Sequence, residues 1–158
     1  MIVKTFRWAD EAATSAFATR LAQHWLQQAA SANMVVLLHG DLGAGKTTLV
    51  RHLLRGLDVT GRIKSPTYAV VEPYVTPCVQ VWHFDFYRFA DPQEWEDAGL
   101  RDIFATPGLK LVEWPDKAGD LLPQPDWIIR LSSDVDEVRH ITLEALTPRG
   151  VTLMQEAT

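Results

Sequence analysis

The segment "GDLGAGKT", residues 40–47, constrains the fold of this chain more than any other. It matches the pattern G-x-x-x-x-G-K-S/T, follows the continuous apolar run "MVVLLH" (34–39) and precedes leucines and a valine at helical spacing. A buried strand, a glycine-rich loop and a helix in this order can surround phosphate oxygens with backbone N–H groups, and the helix adds its positive N-terminal end. A glycine-rich turn that only caps a helix is the alternative, but the flanking elements favour nucleotide binding.

The residues of this loop have separate expected tasks. Gly40, Gly43 and Gly45 allow backbone turns that other residues cannot make, the Lys46 ammonium can reach the β- and γ-phosphates, and the Thr47 hydroxyl can ligate Mg²⁺. We therefore expect ATP and Mg²⁺ as ligands. The residues expected to contact the nucleotide are Gly40, Asp41, Leu42, Gly43, Ala44, Gly45, Lys46, Thr47 and Thr48.

A carboxylate on the metal side is expected from the strand "VQVWHFDFY" (79–87), where His83 and Asp85 share one face. Ligands of open α/β sheets bind at the carboxyl ends of strands, so Asp85 is predicted to face the metal, directly or through water. The alternative is an aspartate that caps the next turn. His83 could be a core residue or part of the site. Tyr87 and Arg88 could orient the loop or contact a partner, and the alternative for Arg88 is a solvated side chain.

A second acidic candidate ends the strand "LKLVEW" (109–114), which would emerge at the same sheet edge. Glu113 could polarise an attacking water or complete the Mg²⁺ shell, or it could be an ordinary strand-end glutamate. Trp114 could stack near the nucleotide or close the core. In "SPT" (65–67), Pro66 favours an extended residue before it and would present Thr67 at a fixed place, as in loops that sense a γ-phosphate, although an ordinary turn has the same composition.

The remaining pattern alternates strands with helices, which predicts an α/β fold with a mixed, mainly parallel central sheet and an antiparallel edge hairpin, in a single domain over 1–158. The last twelve residues predict no element. The expected strands are 2–8, 34–39, 68–74, 79–87, 109–114 and the hairpin 126–131 with 140–146; the expected helices are one from the Asp10 cap to about residue 30, one from Thr47, and one over 91–104 with Asp91 as cap and Pro92 at its first position.

Charge and cysteine content exclude several classes of function. The net charge of −5 argues against a chain that grips nucleic-acid backbone by itself. One cysteine, Cys78, cannot form an internal disulfide, and the five histidines form no spaced cluster with it, which disfavours zinc. The N-terminus lacks the apolar run of a signal peptide, and no apolar segment approaches the ~20 residues that span a bilayer, so we expect a cytoplasmic protein without a membrane partner.

Other nucleotide-binding classes lack their motifs here. The only asparagine, Asn33, is followed by Met34, so the Asn-Lys-x-Asp motif of guanine-specific proteins is missing and ATP is favoured over GTP. The Leu-Ser-Gly-Gly signature of transporter ATPases is also missing, and no segment after Thr47 clusters arginines as the lid of a small-molecule kinase would. A small-molecule kinase, and an interaction module gated by nucleotide binding without essential hydrolysis, remain the alternatives to an ATPase.

The segments "GDLGAGKTT", "KSPTY", "HFDFYR" and "LVEWP" follow one another at compact spacing. Together they resemble the bacterial TsaE (YjeE) family, the ATPase subunit of the machinery that makes the threonylcarbamoyladenosine (t6A) modification of tRNA. The resemblance runs from about Asp10 to Pro123 and includes "DPQEWEDAGLRDIF". It implies a three-layer P-loop NTPase domain, a Mg²⁺-dependent ATPase that is slow alone, and the TsaD–TsaB pair as protein partners, with tRNA contacted only through that complex.

The resemblance also implies residue roles. The family pattern makes Lys46, Asp85 and Glu113 the catalytic residues; Thr47, Asp85 and Glu113 the metal-side residues; and Thr67, Trp114 and the start of the first helix at Asp10–Glu11 further nucleotide contacts, with Glu11 near the base. Because no arginine lies at a predictable position for charge stabilisation, Arg88 is the candidate from within the chain, and the partner is expected to complete the site.

Overall fold

The computed structural model describes residues 1–28, 32–64, 66, 70–91, 93–97 and 99–158. Ser65 and Thr67 of the expected switch lie outside the described residues, and only Pro66 of that segment is described. Pro92, expected at the first position of a helix, also lies outside them. The elements are β1 (Ile2–Trp8), α1 (Glu11–Gln27), β2 (Val35–His39), α2 (Lys46–Gly56), β3 (Val71–Val75), β4 (Gln80–Asp85), α3 (Gln93–Asp97), α4 (Arg101–Ala105), β5 (Leu109–Glu113), a 3₁₀ helix (Pro115–Leu121), β6 (Trp127–Ser133), β7 (Arg139–Ala145) and α5 (Pro148–Ala157).

In the described part of the chain, seven strands form one sheet in the order β1-β7-β6-β2-β5-β4-β3. The four central strands β6, β2, β5 and β4 are parallel, whereas β3 pairs antiparallel with β4, and β7 pairs antiparallel with both β6 and β1. This confirms the expected mixed α/β fold. The predicted hairpin of β6 and β7 is present, but it does not form the edge of the sheet, because β1 pairs with the outer side of β7. The edges are β1 on this side and the β3–β4 hairpin on the other.

The sheet is buried on both faces, and the continuous apolar run of β2 shows why. Val36 and Leu38 pack into the larger core with α1, α2 and α5, whereas Val35 and Leu37 pack into a second core with α3, α4 and the 3₁₀ helix. A strand with apolar side chains on both faces needs helices on both sides. This arrangement leaves the carboxyl ends of the parallel strands as the open side of the sheet.

The region 91–104 differs from the single helix that we expected. The structure has two short helices, α3 and α4, and Gly99 between them adopts the left-handed conformation at φ 67°. The Gly99 N–H donates to the Glu96 carbonyl oxygen, which closes the first helix. Glycine is the residue that most readily adopts this conformation at a helix end, and it is why the expected continuous helix was wrong.

The C-terminal segment, for which we predicted no element, forms helix α5. The Thr147 hydroxyl accepts a hydrogen bond from the Gly150 N–H, and Pro148 occupies the first helical turn. A threonine cap followed by proline is a recognisable helix start, so the sequence did carry the signal. No helix among the described residues is long and apolar enough to cross a membrane.

Asp126, the residue before β6, links this strand to β2 and to the start of α5. Its buried carboxylate accepts hydrogen bonds from the Val35 N–H at 2.9 Å and the Thr147 hydroxyl at 2.6 Å. We expect Asp126→Ala to lower the free energy of unfolding by about 3 kcal/mol, because buried donors would lose their acceptor. Chemical denaturation measures this effect, with the exposed Asp120→Ala as control. A loss no larger than that of the control would contradict the role of Asp126.

Candidate functional site

A cleft of about 390 Å³ lies at the carboxyl ends of β4 and β5, beside the glycine-rich loop. Its position matches the edge at which open α/β sheets bind their ligands. The residues that line it are Leu42, Gly43, Gly45, Lys46, Thr47, Thr48, Asp85, Tyr87, Arg88, Glu113, Trp114 and Arg139. Most of the predicted site residues are therefore brought together here.

The glycine-rich loop needs glycine at Gly40 and Gly45 for two different reasons. A Cβ at Gly40 would lie 2.5 Å from the carbonyl oxygen of Leu131, so no side chain fits there. Gly45 adopts φ 108° immediately before α2. Gly45, the N-cap of α2, makes no side-chain cap hydrogen bond, which leaves the backbone N–H groups of the first turn available to an anion.

Not every residue of the loop lines the cleft. Ala44 is buried in the larger core, and Gly40 and Asp41 line a smaller cavity of about 130 Å³, which Lys46 also lines. The Asp41 carbonyl oxygen accepts a hydrogen bond from the Ala44 N–H, which closes the turn. These three residues shape the loop backbone, whereas the exposed Leu42 and Gly43 form the rim of the cleft.

The Lys46 ammonium is held inside the protein. It donates to the Gly40 carbonyl oxygen, and its Nζ lies 3.7 Å from the centroid of the Trp114 ring. Burial lowers the pKa of Lys46, although Glu113 and Asp85 act in the opposite direction. Trp114 has a left-handed backbone at φ 55°, a conformation that costs free energy for a bulky residue and that is often found at functional sites.

Glu113 is almost completely buried, and two side chains donate hydrogen bonds to its carboxylate. The Thr47 hydroxyl lies 2.9 Å from Oε1 and 3.1 Å from Oε2, and His83 Nε2 lies 2.6 Å from Oε2. The three residues come from α2, β5 and β4. The structure therefore places Glu113 directly against the hydroxyl that the sequence assigns to the metal.

Asp85 lies opposite Glu113 in the pairing of β4 with β5, and it is half-buried. Burial raises the pKa of its carboxyl, a hydrogen bond from the Tyr87 N–H opposes this shift, and Glu113 adds to it. That hydrogen bond, 2.9 Å long, means that Asp85 caps the following turn while it also lines the cleft. The two interpretations of Asp85 are thus compatible in one geometry.

The donors around the cleft fit Mg²⁺. Thr47 supplies a hydroxyl, and Asp85 and Glu113 supply carboxylates, all of which are hard oxygen ligands. Magnesium sites next to phosphates usually take only one or two carboxylates from the protein, because water and phosphate oxygens complete the octahedron. No group of three or more His, Cys, Asp and Glu side chains in the described ranges forms a dedicated metal cage.

A second cavity of about 350 Å³ adjoins the cleft and shares Gly45, Thr48 and Arg139 with it. Glu11 lies in this cavity, and its Oε1 contacts Nε2 of His52 at 2.9 Å. The other lining residues are Trp8, Ala9, Asp10, Thr14, Leu131, Asp136 and Glu137. The start of α1 therefore lies beside the glycine-rich loop.

Arg139 is a site residue that sequence reasoning missed. It begins β7, pairs with Trp8 of β1 and Ser133 of β6, and lines both cavities. Its Nε lies 3.5 Å from the point that a Cβ on Gly45 would occupy. No local motif marks this arginine, because only the pairing of β7 with two distant strands brings it to the loop.

Comparison with known proteins agrees with this geometry. Residues 8–141 match the family model described as threonylcarbamoyl adenosine biosynthesis protein TsaE. The chain is 41% identical to the tRNA threonylcarbamoyladenosine biosynthesis protein TsaE of Haemophilus influenzae, over 89% of each chain, and 38% identical to that of Bacillus subtilis, over 77% of this chain and 76% of the relative. The crystal structure of Bacillus subtilis YdiB superposes with a TM-score of 0.77 and 31% identity, covering 99% of this chain and 96% of that one. The chain therefore belongs to the TsaE family of P-loop-like, nucleotide-binding proteins.

Proposed function

We propose that this protein binds ATP with Mg²⁺ and hydrolyses it in support of t6A modification of tRNA. The observation that carries the proposal is the contact of Thr47 with Glu113 beside Lys46 and the uncapped start of α2. The names of the relatives supply the biological context. The direct test is phosphate release from ATP by the purified chain.

Each residue of the cleft has a part in this proposal. The N–H groups at the start of α2 and the Lys46 ammonium bind the phosphates, and the Trp114 ring covers Lys46. Thr47, Asp85 and Glu113 would hold Mg²⁺, which would neutralise charge on the phosphate oxygens during transfer. Asp85, the more exposed carboxylate, can accept a hydrogen bond from the attacking water.

The second cavity is the proposed place for the nucleoside. Glu11 contacts His52 and presents a carboxylate, which accepts hydrogen bonds but donates none. The exocyclic amino group of adenine is a donor, whereas guanine carries an oxygen acceptor at the same position. In the proposed arrangement the Glu11 carboxylate accepts a hydrogen bond from the adenine amino group, which favours ATP over GTP.

Arg139 provides a cation between the two proposed subsites. Because its side chain lines both cavities, we expect Arg139→Met to weaken ADP binding by about 10-fold, the loss of one charge-assisted hydrogen bond. Fluorescence titration with a labelled ADP measures the affinity, and Arg101→Met, on the exposed α4, is the matched control. Equal ADP affinities in the two variants would show that Arg139 does not contribute to nucleotide binding.

The proposed partners are the TsaD–TsaB pair, with tRNA contacted only through the complex. A net charge of −5 does not favour independent binding of tRNA. Phosphoryl transfer depends on positioning and charge stabilisation, so a site that a partner completes should be slow alone. Tyr87, Arg88 and Leu42 stand at the mouth of the cleft, where a partner could close it.

A further inference from the structure

His83 has no role in the function proposed so far, yet it is buried directly beside Glu113. It lies in β4 two residues before Asp85, on the same face of the strand, and its side chain is 1% exposed. Its Nε2 lies 2.6 Å from Oε2 of Glu113. The buried Glu113 thus has a second donor besides Thr47.

The direction of this hydrogen bond follows from chemistry. Because a carboxylate accepts hydrogen bonds, we assign the hydrogen to Nε2 of His83, which then donates to Glu113. The other ring nitrogen, Nδ1, is buried without a hydrogen-bond partner among the described residues. A residue that served only to fill the core would not need a polar ring with one unpaired nitrogen, since an apolar side chain would cost less.

The three contacts restrict the orientation of Glu113. His83 engages Oε2 alone, while the Thr47 hydroxyl is closer to Oε1 than to Oε2. Rotation of the carboxylate would break the short contact with His83. Mg²⁺ demands near-ideal octahedral geometry, so a carboxylate held in one suitable orientation should bind it more tightly than a mobile one.

We propose that His83 is a positioning residue, which holds Oε2 of Glu113 and thereby directs Oε1 toward Thr47 and the metal. The inference rests on the proposed function, because it assumes that Glu113 and Thr47 lie on the metal side. Partners of this kind, which hold a ligand without touching the metal, typically change metal affinity by about 10–100-fold when they are removed.

The test compares ADP affinity with and without Mg²⁺ in four proteins. These are the native chain, His83→Leu, His83→Gln and Val81→Ala, a buried control on the same face of β4. We expect His83→Leu to lose about 10-fold of the strengthening that Mg²⁺ gives to ADP binding, with the Mg²⁺-free affinity unchanged. Glutamine keeps a donor of similar reach, so His83→Gln should recover most of the strengthening. Val81→Ala should lower the melting temperature without changing the ratio of affinities.

Other outcomes separate the inference from the function on which it rests. His83→Leu could lose ADP affinity equally with and without Mg²⁺, or lose none in either condition. Either outcome would leave the ratio of the two affinities unchanged, which would overturn the positioning role and leave the proposed ATPase standing. Failure of the native chain to bind ADP would overturn both. If His83→Leu does not fold, His83→Gln decides alone: the inference requires a small loss that is confined to the Mg²⁺ series.

Discussion

Replacement of Lys46 by alanine is expected to lower phosphate release from ATP by at least about 100-fold, the usual effect of removing a cationic or oxyanion donor from a reacting centre. Lys46 is a buried cation of the cleft, and its ammonium contacts the Gly40 carbonyl oxygen and the Trp114 ring. Burial is the main cause of the lowered pKa of Lys46, which means that keeping the ammonium charged inside the protein costs free energy. A bound phosphate would add its negative charge to those of Glu113 and Asp85, which already act on the ammonium.

The measurement is phosphate release at saturating ATP, together with the melting temperature. The Lys117→Ala variant is the control, since Lys117 is exposed on the 3₁₀ helix. We expect Lys46→Ala to remain folded, because the buried Glu113 carboxylate keeps its hydrogen bonds with Thr47 and His83 when the ammonium is removed. Activity within 3-fold of the control, in a folded Lys46→Ala protein, would contradict the role of the glycine-rich loop.

The second large effect is expected for Glu113→Gln. This change removes the charge but keeps the shape, and we expect phosphate release to fall by about 100-fold because a metal-side carboxylate is lost. ADP binding without Mg²⁺ should stay within 3-fold of the native value, because the phosphate-binding N–H groups and Lys46 are untouched. Glu156→Gln, exposed on α5, is the matched control.

The Glu113→Gln protein also separates hydrolysis from binding. Loss of both phosphate release and support of tRNA modification would fit an ATPase whose turnover is essential. Retained support of modification by a protein that no longer hydrolyses ATP would favour a module gated by nucleotide binding. Phosphate release equal to that of Glu156→Gln would show that Glu113 does not act on the metal side at all.

The central elements of the site could be predicted because local patterns and sheet geometry determine them. The loop 40–47 lies between a buried strand and a helix, and parallel pairing places the ends of β4 and β5 side by side. Asp85 and Glu113, which are far apart in sequence, therefore meet at the same edge. The apolar runs and the alternation of strands and helices were sufficient for the fold class.

The residues that were missed depend on long-range pairing. Arg139 reaches the loop only because β7 lies between β1 and β6, and strand order is not written in any local pattern. The hydrogen bond from His83 to Glu113 requires the register of two strands, which was also beyond the sequence. The left-handed backbone of Trp114 has no compositional signal, since such a conformation is imposed on a bulky residue by its surroundings.

Phosphate release from ATP by the purified chain, alone and with purified TsaD–TsaB, tests the central claim most directly. The blank is Lys46→Ala in the same two conditions. The account predicts slow release by the chain alone and a rise of at least about 10-fold with the partners, because they would complete the charge stabilisation of an open cleft. Rapid release that is indifferent to TsaD–TsaB, or release equal to that of Lys46→Ala in both conditions, would contradict it.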